Sequence, residues 1–241
     1  MNLVIDIGNT RIKVAIFNGS ELVHNEIITS NNFLKRTLDL IEKHQCKNAI
    51  ISSVGNQNKC EIQEIKSKIN IIELNSETKV PFKNNYLTPK TLGVDRIALV
   101  SSAFERFPNK NVLVIDAGTC ITYDFINDNA CYLGGAISPG IKMRYKAMNS
   151  FTEKLPLLKQ TENKKLIGNS TESCIHSGVI FGVINEIDSA INSYKEKNQL
   201  LTVVLTGGDV NFLSNKLKNG IFANPNFLLE GLNTILTYNL Q

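Results

Sequence analysis

The segment Val4-Ile5-Asp6-Ile7-Gly8-Asn9-Thr10 returns about 110 residues later as Val114-Ile115-Asp116-Ala117-Gly118-Thr119. In each copy a run of aliphatic residues leads into an acid and then a glycine-bearing turn. A second apolar run follows in each, Ile12 to Phe17 in the first and Ile121 to Ile126 in the second. Two strands around a short polar turn make a β-hairpin. The spacing is too long for a solenoid, whose period is roughly 20–50 residues. It predicts a duplicated α/β chain in which each copy opens on a hairpin with Asp at its turn.

The rest of the chain fits that plan. The alternation and apolar spacing predict strands at 2–7, 12–17 and 21–28, a helix over 31–44, a strand at 48–53, a helix over 60–69 and a strand at 70–74. Residues 75–92 are polar, contain Pro81 and Pro89, and read mainly as loop; a helix over 93–106 follows. In the second half, Gly134-Gly135-Ala136-Ile137-Ser138-Pro139-Gly140 reads as a turn-rich break before a helix near 141–150. A long helix over 172–196 carries Ile175, Val179, Val183, Ile187 and Ile191 on one face, a pattern of core more often than of interface. A buried strand at 201–206 ends in Gly207-Gly208-Asp209, and a helix at 210–217, a strand near 221–223 and a helix near 226–238 complete the chain. The domains are expected at 1–110 and 111–241.

Bulk properties remove several classes of function. The 241 residues suffice for one large or two small cores. The 26 basic and 22 acidic residues give a net charge of +4, and the lysines are scattered, which is not a nucleic-acid arm. No run approaches 18 apolar residues, so no membrane span is expected, and Asp6 interrupts the first apolar run in the place of a signal peptide. Cys46, Cys60, Cys120, Cys131 and Cys174 form no CxxC pair and no zinc spacing with His24, His44 or His176. They read as small core residues in a reduced, cytoplasmic compartment.

The chemistry concentrates at the two hairpins. Strand, Asp6, Gly8 and Thr10 bring an acid, approachable backbone amides and a hydroxyl to one turn, which can cradle phosphate oxygens. Lys13 projects from the returning strand, and Asp6 can hold Mg²⁺ directly or through water. The plain alternative is a hairpin with a polar turn. The second copy, Asp116 to Thr119, weighs against it, because two such hairpins facing one cleft would clamp a triphosphate. Gly207-Gly208 permits close approach of a flat group such as adenine or ribose. Asp95 and Arg96 open a predicted helix, whose positive end favours anions. Asp95 can take a proton from an attacking hydroxyl, and Arg96 can bind a carboxylate with both prongs.

Taken in order, Asp6 to Lys13, Tyr86, Pro89, Leu92 to Arg96, Asp116 to Thr119, Gly134 to Gly140 and Thr206 to Gly208 resemble type III pantothenate kinase nearly end to end. Met148, Leu155-Pro156 and Gly168 to Thr171 fit the same pattern. The resemblance implies duplicated ribonuclease-H-like domains of the actin/Hsp70/sugar-kinase type with an interdomain cleft. It implies ATP-dependent phosphorylation of the terminal hydroxyl of pantothenate, the first step toward coenzyme A, by a cytoplasmic homodimer that uses Mg²⁺ or a similar divalent cation and K⁺ or NH₄⁺. Position by position, Asp6, Ile7, Gly8, Asn9, Thr10, Arg11, Ile12 and Lys13 would bind ATP, with Thr119. Asp95 would be the proton acceptor. Tyr86, Gly93, Val94, Asp95, Arg96 and Thr171 would bind pantothenate, and Asp116 the monovalent cation. Family members often carry a proline after the Ser52-Ser53-Val54 turn, where this chain has Gly55-Asn56. Two rival readings remain at this stage. One is a non-catalytic binding or regulatory relative; the other is a different small-molecule kinase or phosphohydrolase on the same fold.

Overall fold

A computed structural model of the chain describes residues 1–8, 11–53, 59–162 and 165–241. By compactness the chain divides into two units. Unit 1 holds Met1–Pro108, Ala130–Leu133 and Asn226–Gln241; unit 2 holds Asn109–Asn129 and Gly134–Pro225. The elements run β1 (Asn2–Ile7), β2 (Ile12–Asn18), β3 (Glu21–Ile28), α1 (Phe33–His44), β4 (Asn48–Ser53), α2 (Lys59–Lys66), β5 (Asn70–Glu73), β6 (Lys83–Asn84) and α3 (Val94–Arg106). They continue with β7 (Val112–Ala117), β8 (Cys120–Ile126), β9 (Cys131–Pro139), α4 (Ile141–Ser150), α5 (Thr171–Lys197), β10 (Thr202–Thr206), α6 (Val210–Leu213), β11 (Phe222–Ala223) and α7 (Phe227–Asn239).

The duplication is written in the strand order. The unit 1 sheet runs β3-β2-β1-β4-β5, and the second sheet contains the series β9-β8-β7-β10-β11. In both, the first strand of the copy is antiparallel to its hairpin partner and parallel to the strand on its other side. The registers match as well: Asp6 lies beside Ser52 on β4, and Asp116 lies beside Thr206 on β10.

Period-two alternation decides where the acids point. On β1, Leu3, Ile5 and Ile7 enter the unit 1 core with Phe33 and Leu40 of α1 and Ile62 and Ile65 of α2. Asn2, Val4 and Asp6 therefore face the other way. That face is covered by α7: the Asn2 Nδ2 donates to Asn233 Oδ1 at 3.0 Å. Lys13 pairs with Asp6 across the hairpin and shares its face. On β7, Leu113, Ile115 and Ala117 likewise enter the unit 2 core, which leaves Asp116 on the opposite face.

Several local expectations are corrected. Residues 134–140 are not a break, since β9 runs to Pro139. Glycine is poor in strands, which hid it, but Gly135 lies so close to the Tyr123 carbonyl on neighbouring β8 that no side chain fits there. The loop at 75–92 contains β6, which pairs with the first residues of β9. The helix expected at 210–217 stops at Leu213. Past it the chain turns so that the Lys218 and Asn219 amides donate to the Asp188 carboxylate at 3.0 and 3.1 Å. Finally, α7 belongs with unit 1 and not with the second half, because its Phe227, Leu232 and Ile235 face is buried and the helix packs on α3, β1 and β4.

Helix α5 is long and apolar enough, by length and composition, to cross a membrane. Its Ile175, Val179, Val183, Ile187 and Ile191 are instead buried in the unit 2 core. Each such side chain contributes roughly 1.5–3 kcal/mol. The cysteines depart from expectation. All five are free, but only Cys46 is buried, while Cys60 and Cys174 are exposed.

Candidate active site

In unit 1 the strand end of β1 presents Asp6, which is 8% exposed. Burial raises its carboxyl from the ordinary 3.8 to about 6, and the Asp95 charge pushes the same way. Lys13 opposes that rise, and so does the Ser52 hydroxyl, which lies near without completing a well-formed hydrogen bond. Two acids thus sense each other at one place, with a lysine at hand. The turn beyond is closed by the Gly8 amide donating to the Arg11 carbonyl at 3.1 Å. Asn9 and Thr10 lie outside the described residues.

Asp95 is delivered by the first turn of α3, whose buried Ile97 to Ala103 stretch anchors the helix. Its Oδ1 accepts the Arg96 amide at 2.8 Å. Gly93 is the residue before the helix, and Val94 its first residue. Arg96 is buried at 5% exposure, and its guanidinium carbon lies 5.5 Å from the Tyr86 ring centre. Asp6, Lys13, Asp95, Arg96 and Tyr86 all belong to unit 1.

In unit 2 the second hairpin repeats the design. The Gly118 amide donates to the Cys120 carbonyl at 2.9 Å, and Thr119 is exposed at the tip. Three neighbours hold this turn. The Gly140 amide donates to the Thr119 carbonyl at 3.1 Å, and the Asp209 amide to the Ala117 carbonyl at 2.9 Å. Gly207, at φ +95°, lies against the Asp116 carboxyl and the Ala117 carbonyl. Thr171 stands exposed as the first residue of α5, after a Ser170 cap whose hydroxyl accepts the Ser173 amide.

Sequence reasoning missed what braces this turn. Arg144 on α4 donates its Nε to the Pro139 carbonyl at 2.9 Å and its Nη2 to Ser138 Oγ at 3.1 Å. The same guanidinium pairs with Glu186 on α5, which also accepts the Tyr123 hydroxyl at 3.0 Å. Burial works to raise the Glu186 carboxyl, but the Arg144, Ser138 and Tyr123 bonds bring it below its usual value. The only sequence signal was an arginine one turn past Gly140. A cavity of about 790 Å³ was missed too; Lys142, Tyr145, Lys146, Leu157, Leu158 and Phe212 line it. Asp209 reaches this region: burial raises its carboxyl, while Lys142 and Gln160 oppose the rise.

Hard oxygen donors suit Mg²⁺ or K⁺, and Asp6 with Asp95, and Asp116 separately, offer them. Among the described residues no group of three or more His, Cys, Asp or Glu is gathered for a metal. A cation here would therefore complete its shell with phosphate oxygens and water. An ionised Asp6 at neutral pH is a cost to the fold that a bound cation would relieve.

That cost is measurable. The folded Asp6 carboxyl titrates near 6, above its unfolded value near 3.8. The folded state then binds more protons between those values, so its contribution to stability falls as pH rises from about 4 to 6. In chelating buffer at pH 7.5, Asp6→Asn is expected to be more stable than the parent by up to about 3 kcal/mol. The advantage should vanish near pH 4. Thermal melts at the two pH values check this; a variant less stable at pH 7.5 would contradict it.

The chain is similar to known proteins over nearly its whole length. Residues 2–193 match the family model for type III pantothenate kinase. The type III pantothenate kinase of Christiangramia forsetii is 48% identical over 240 residues, covering 99% of each chain. Among solved structures, a Campylobacter jejuni protein assigned to the Baf family of transcriptional activators superposes with a TM-score of 0.64 at 24% identity, covering 99% of this chain and 98% of that one. A glucokinase from an Antarctic psychrotroph gives a TM-score of 0.53 at 14% identity, covering 98% of each. The structural likenesses show the fold, which is of the actin/Hsp70/sugar-kinase type. With near-complete coverage at 48% identity, the chain belongs to the type III pantothenate kinase family.

Proposed function

We propose that this protein transfers the γ-phosphoryl group of ATP to the terminal hydroxyl of pantothenate, giving 4'-phosphopantothenate and ADP. The observation that carries this reading is the grouping of Asp6, Lys13 and Asp95 at the strand end of β1, with Arg96 buried against Tyr86 one residue away on α3. A phosphate site and an acceptor site then adjoin, as phosphoryl transfer requires.

Asp95 accepts the proton of the attacking hydroxyl as its oxygen bonds to the γ-phosphorus and the bond to the β,γ-bridging oxygen breaks. Arg96 holds the pantothenate carboxylate, aided by Gly93, Val94 and Tyr86. Residues 6–13 hold the phosphates, and Lys13 neutralises part of their charge. Asp6 would hold the divalent cation, directly or through water; when bound, that ion supplies charge neutralisation at the phosphates. Asp116 would hold K⁺ or NH₄⁺. The cavity near Asp209 suits the adenosine, with Phe212 and Leu158 as apolar walls.

The same reading includes a homodimer in the cytoplasm. Exposed Ile137, Phe151, Leu157, Leu166 and Ile167 in unit 2 supply apolar surface for a second copy. Five free cysteines suit a reducing compartment.

A coupled assay of ADP release with ATP, Mg²⁺ and K⁺ tests the reading. ADP release should depend on pantothenate and should fall when Na⁺ replaces K⁺. Release independent of pantothenate would sink the assignment, and equal rates in the two salts would remove Asp116 from its cation role.

A further inference from the structure

Behind the acceptor-side residues stands a column of aromatic rings. Arg96 lies over Tyr86 at 5.5 Å. Tyr86 in turn stacks on Tyr132, with ring centres 6.0 Å apart and planes inclined by 17°. Phe82 meets Tyr132 edge-on at 6.1 Å and 74°. Tyr132 has no exposed surface, and Phe82 is buried as well. All four residues belong to unit 1.

The backbone ties the column to one strand. Asn84 on β6 pairs with Tyr132 on β9. The Asn85 amide donates to the Tyr132 carbonyl at 3.0 Å, and the Lys83 amide to the Ala130 carbonyl at 2.9 Å. The Tyr86 amide then donates to Asn84 Oδ1 at 3.0 Å. Strand β6 has only two residues, too short to hold its place alone. Tyr132 therefore fixes the Tyr86 segment twice, by its carbonyl and by its ring.

We infer that Tyr132 is a positioning residue for the acceptor site: its ring sets the Tyr86 ring, and through it the Arg96 guanidinium that receives the acceptor's carboxylate. The inference rests on the reading of Arg96 as the carboxylate ligand. An offset ring pair and a guanidinium over a ring are each worth about what a several-fold change in binding reports. A loosened Arg96 weakens acceptor binding but leaves the phosphates and Asp95 in place. The effect should therefore fall on one KM and not on the other.

The test compares Tyr132→Leu with Tyr132→Phe in the full-length enzyme. Tyr132→Leu is expected to raise the pantothenate KM about tenfold, with the ATP KM within about twofold and kcat within about threefold. Tyr132→Phe keeps the ring and should stay within about twofold throughout. The Arg96 Nε–H resonance, assigned by its loss in Arg96→Lys, should shift in the leucine variant and not in the phenylalanine variant. A pantothenate KM unchanged in Tyr132→Leu overturns the inference, as does a phenylalanine variant as impaired as the leucine one. If Tyr132→Leu does not fold, Phe82→Leu carries the test, since it loosens Tyr132 from its far side: a rise of about threefold in the pantothenate KM alone supports the inference, and no rise overturns it. Absence of pantothenate-dependent turnover in the parent enzyme would defeat the acceptor reading instead, and the Arg96 resonance would still decide whether Tyr132 sets that side chain.

Discussion

Asp95→Asn is expected to lower kcat for pantothenate-dependent ADP release by about 10²–10⁴-fold, the range of a lost general base. ATP binding should stay within about a factor of two. The substitution preserves shape, and the asparagine oxygen can still accept the Arg96 amide that Asp95 Oδ1 holds at 2.8 Å. The start of α3 should therefore survive. Nor should the fold suffer, because the Asp95 charge raises the buried Asp6 carboxyl, and its removal relieves that repulsion. The variant separates catalysis from binding for this reason. Steady-state kinetics and equilibrium dialysis with ATP check it; parental turnover would remove Asp95 from the role of base.

Gly207→Ala is expected to destabilise the protein by about 2–5 kcal/mol and to raise the ATP KM. Two independent penalties act there. The backbone sits at φ +95°, where an L side chain is strained. An added methyl would also collide with the Asp116 carboxyl and the Ala117 carbonyl, lying 2.7 Å from the Ala117 carbonyl carbon. Something must move, and what moves carries the proposed cation ligand and the turn of the second hairpin. The melting temperature should fall by about 5–15 °C for a chain of this size. Gly208→Ala is the control for stability, since nothing lies within 4 Å of its would-be methyl. Equal melting temperatures for the two variants would contradict the packing argument.

The hairpins were legible in the sequence because their signals are local. Aliphatic strands, an acid and a glycine turn are all contained within residues 2–17 and 112–126. The helix start at Asp95 was legible for the same reason. What escaped depends on partners distant in sequence. β9 hides behind Gly134-Gly135, because the need for a bare backbone there comes from Tyr123 on another strand. β6 exists only by pairing with Cys131 and Tyr132. α7 looks like part of the second half until its buried face is seen against α3 and β1. Arg144 gave a weak signal, since its partners Pro139 and Glu186 lie on either side of it in the chain and meet only in the fold. The cysteines were misjudged because size and polarity permit burial without requiring it.

The equivalence of Ser52 beside Asp6 with Thr206 beside Asp116 was invisible in the sequence. The two strand ends share no motif; only the register aligns them. It shows that the duplication extends past the hairpins to the next strand of each copy. The copies have diverged in use. The first carries the proposed acceptor site on α3, and the second lies by a cavity near Asp209.

Transfer of a labelled γ-phosphoryl group tests the central claim most directly. The protein is incubated with γ-labelled ATP, Mg²⁺, K⁺ and pantothenate, and the products are identified by mass. The account predicts label on the terminal oxygen of pantothenate, one equivalent for each ADP formed, and none without the acceptor. Label appearing as inorganic phosphate at the same rate with and without pantothenate would contradict it.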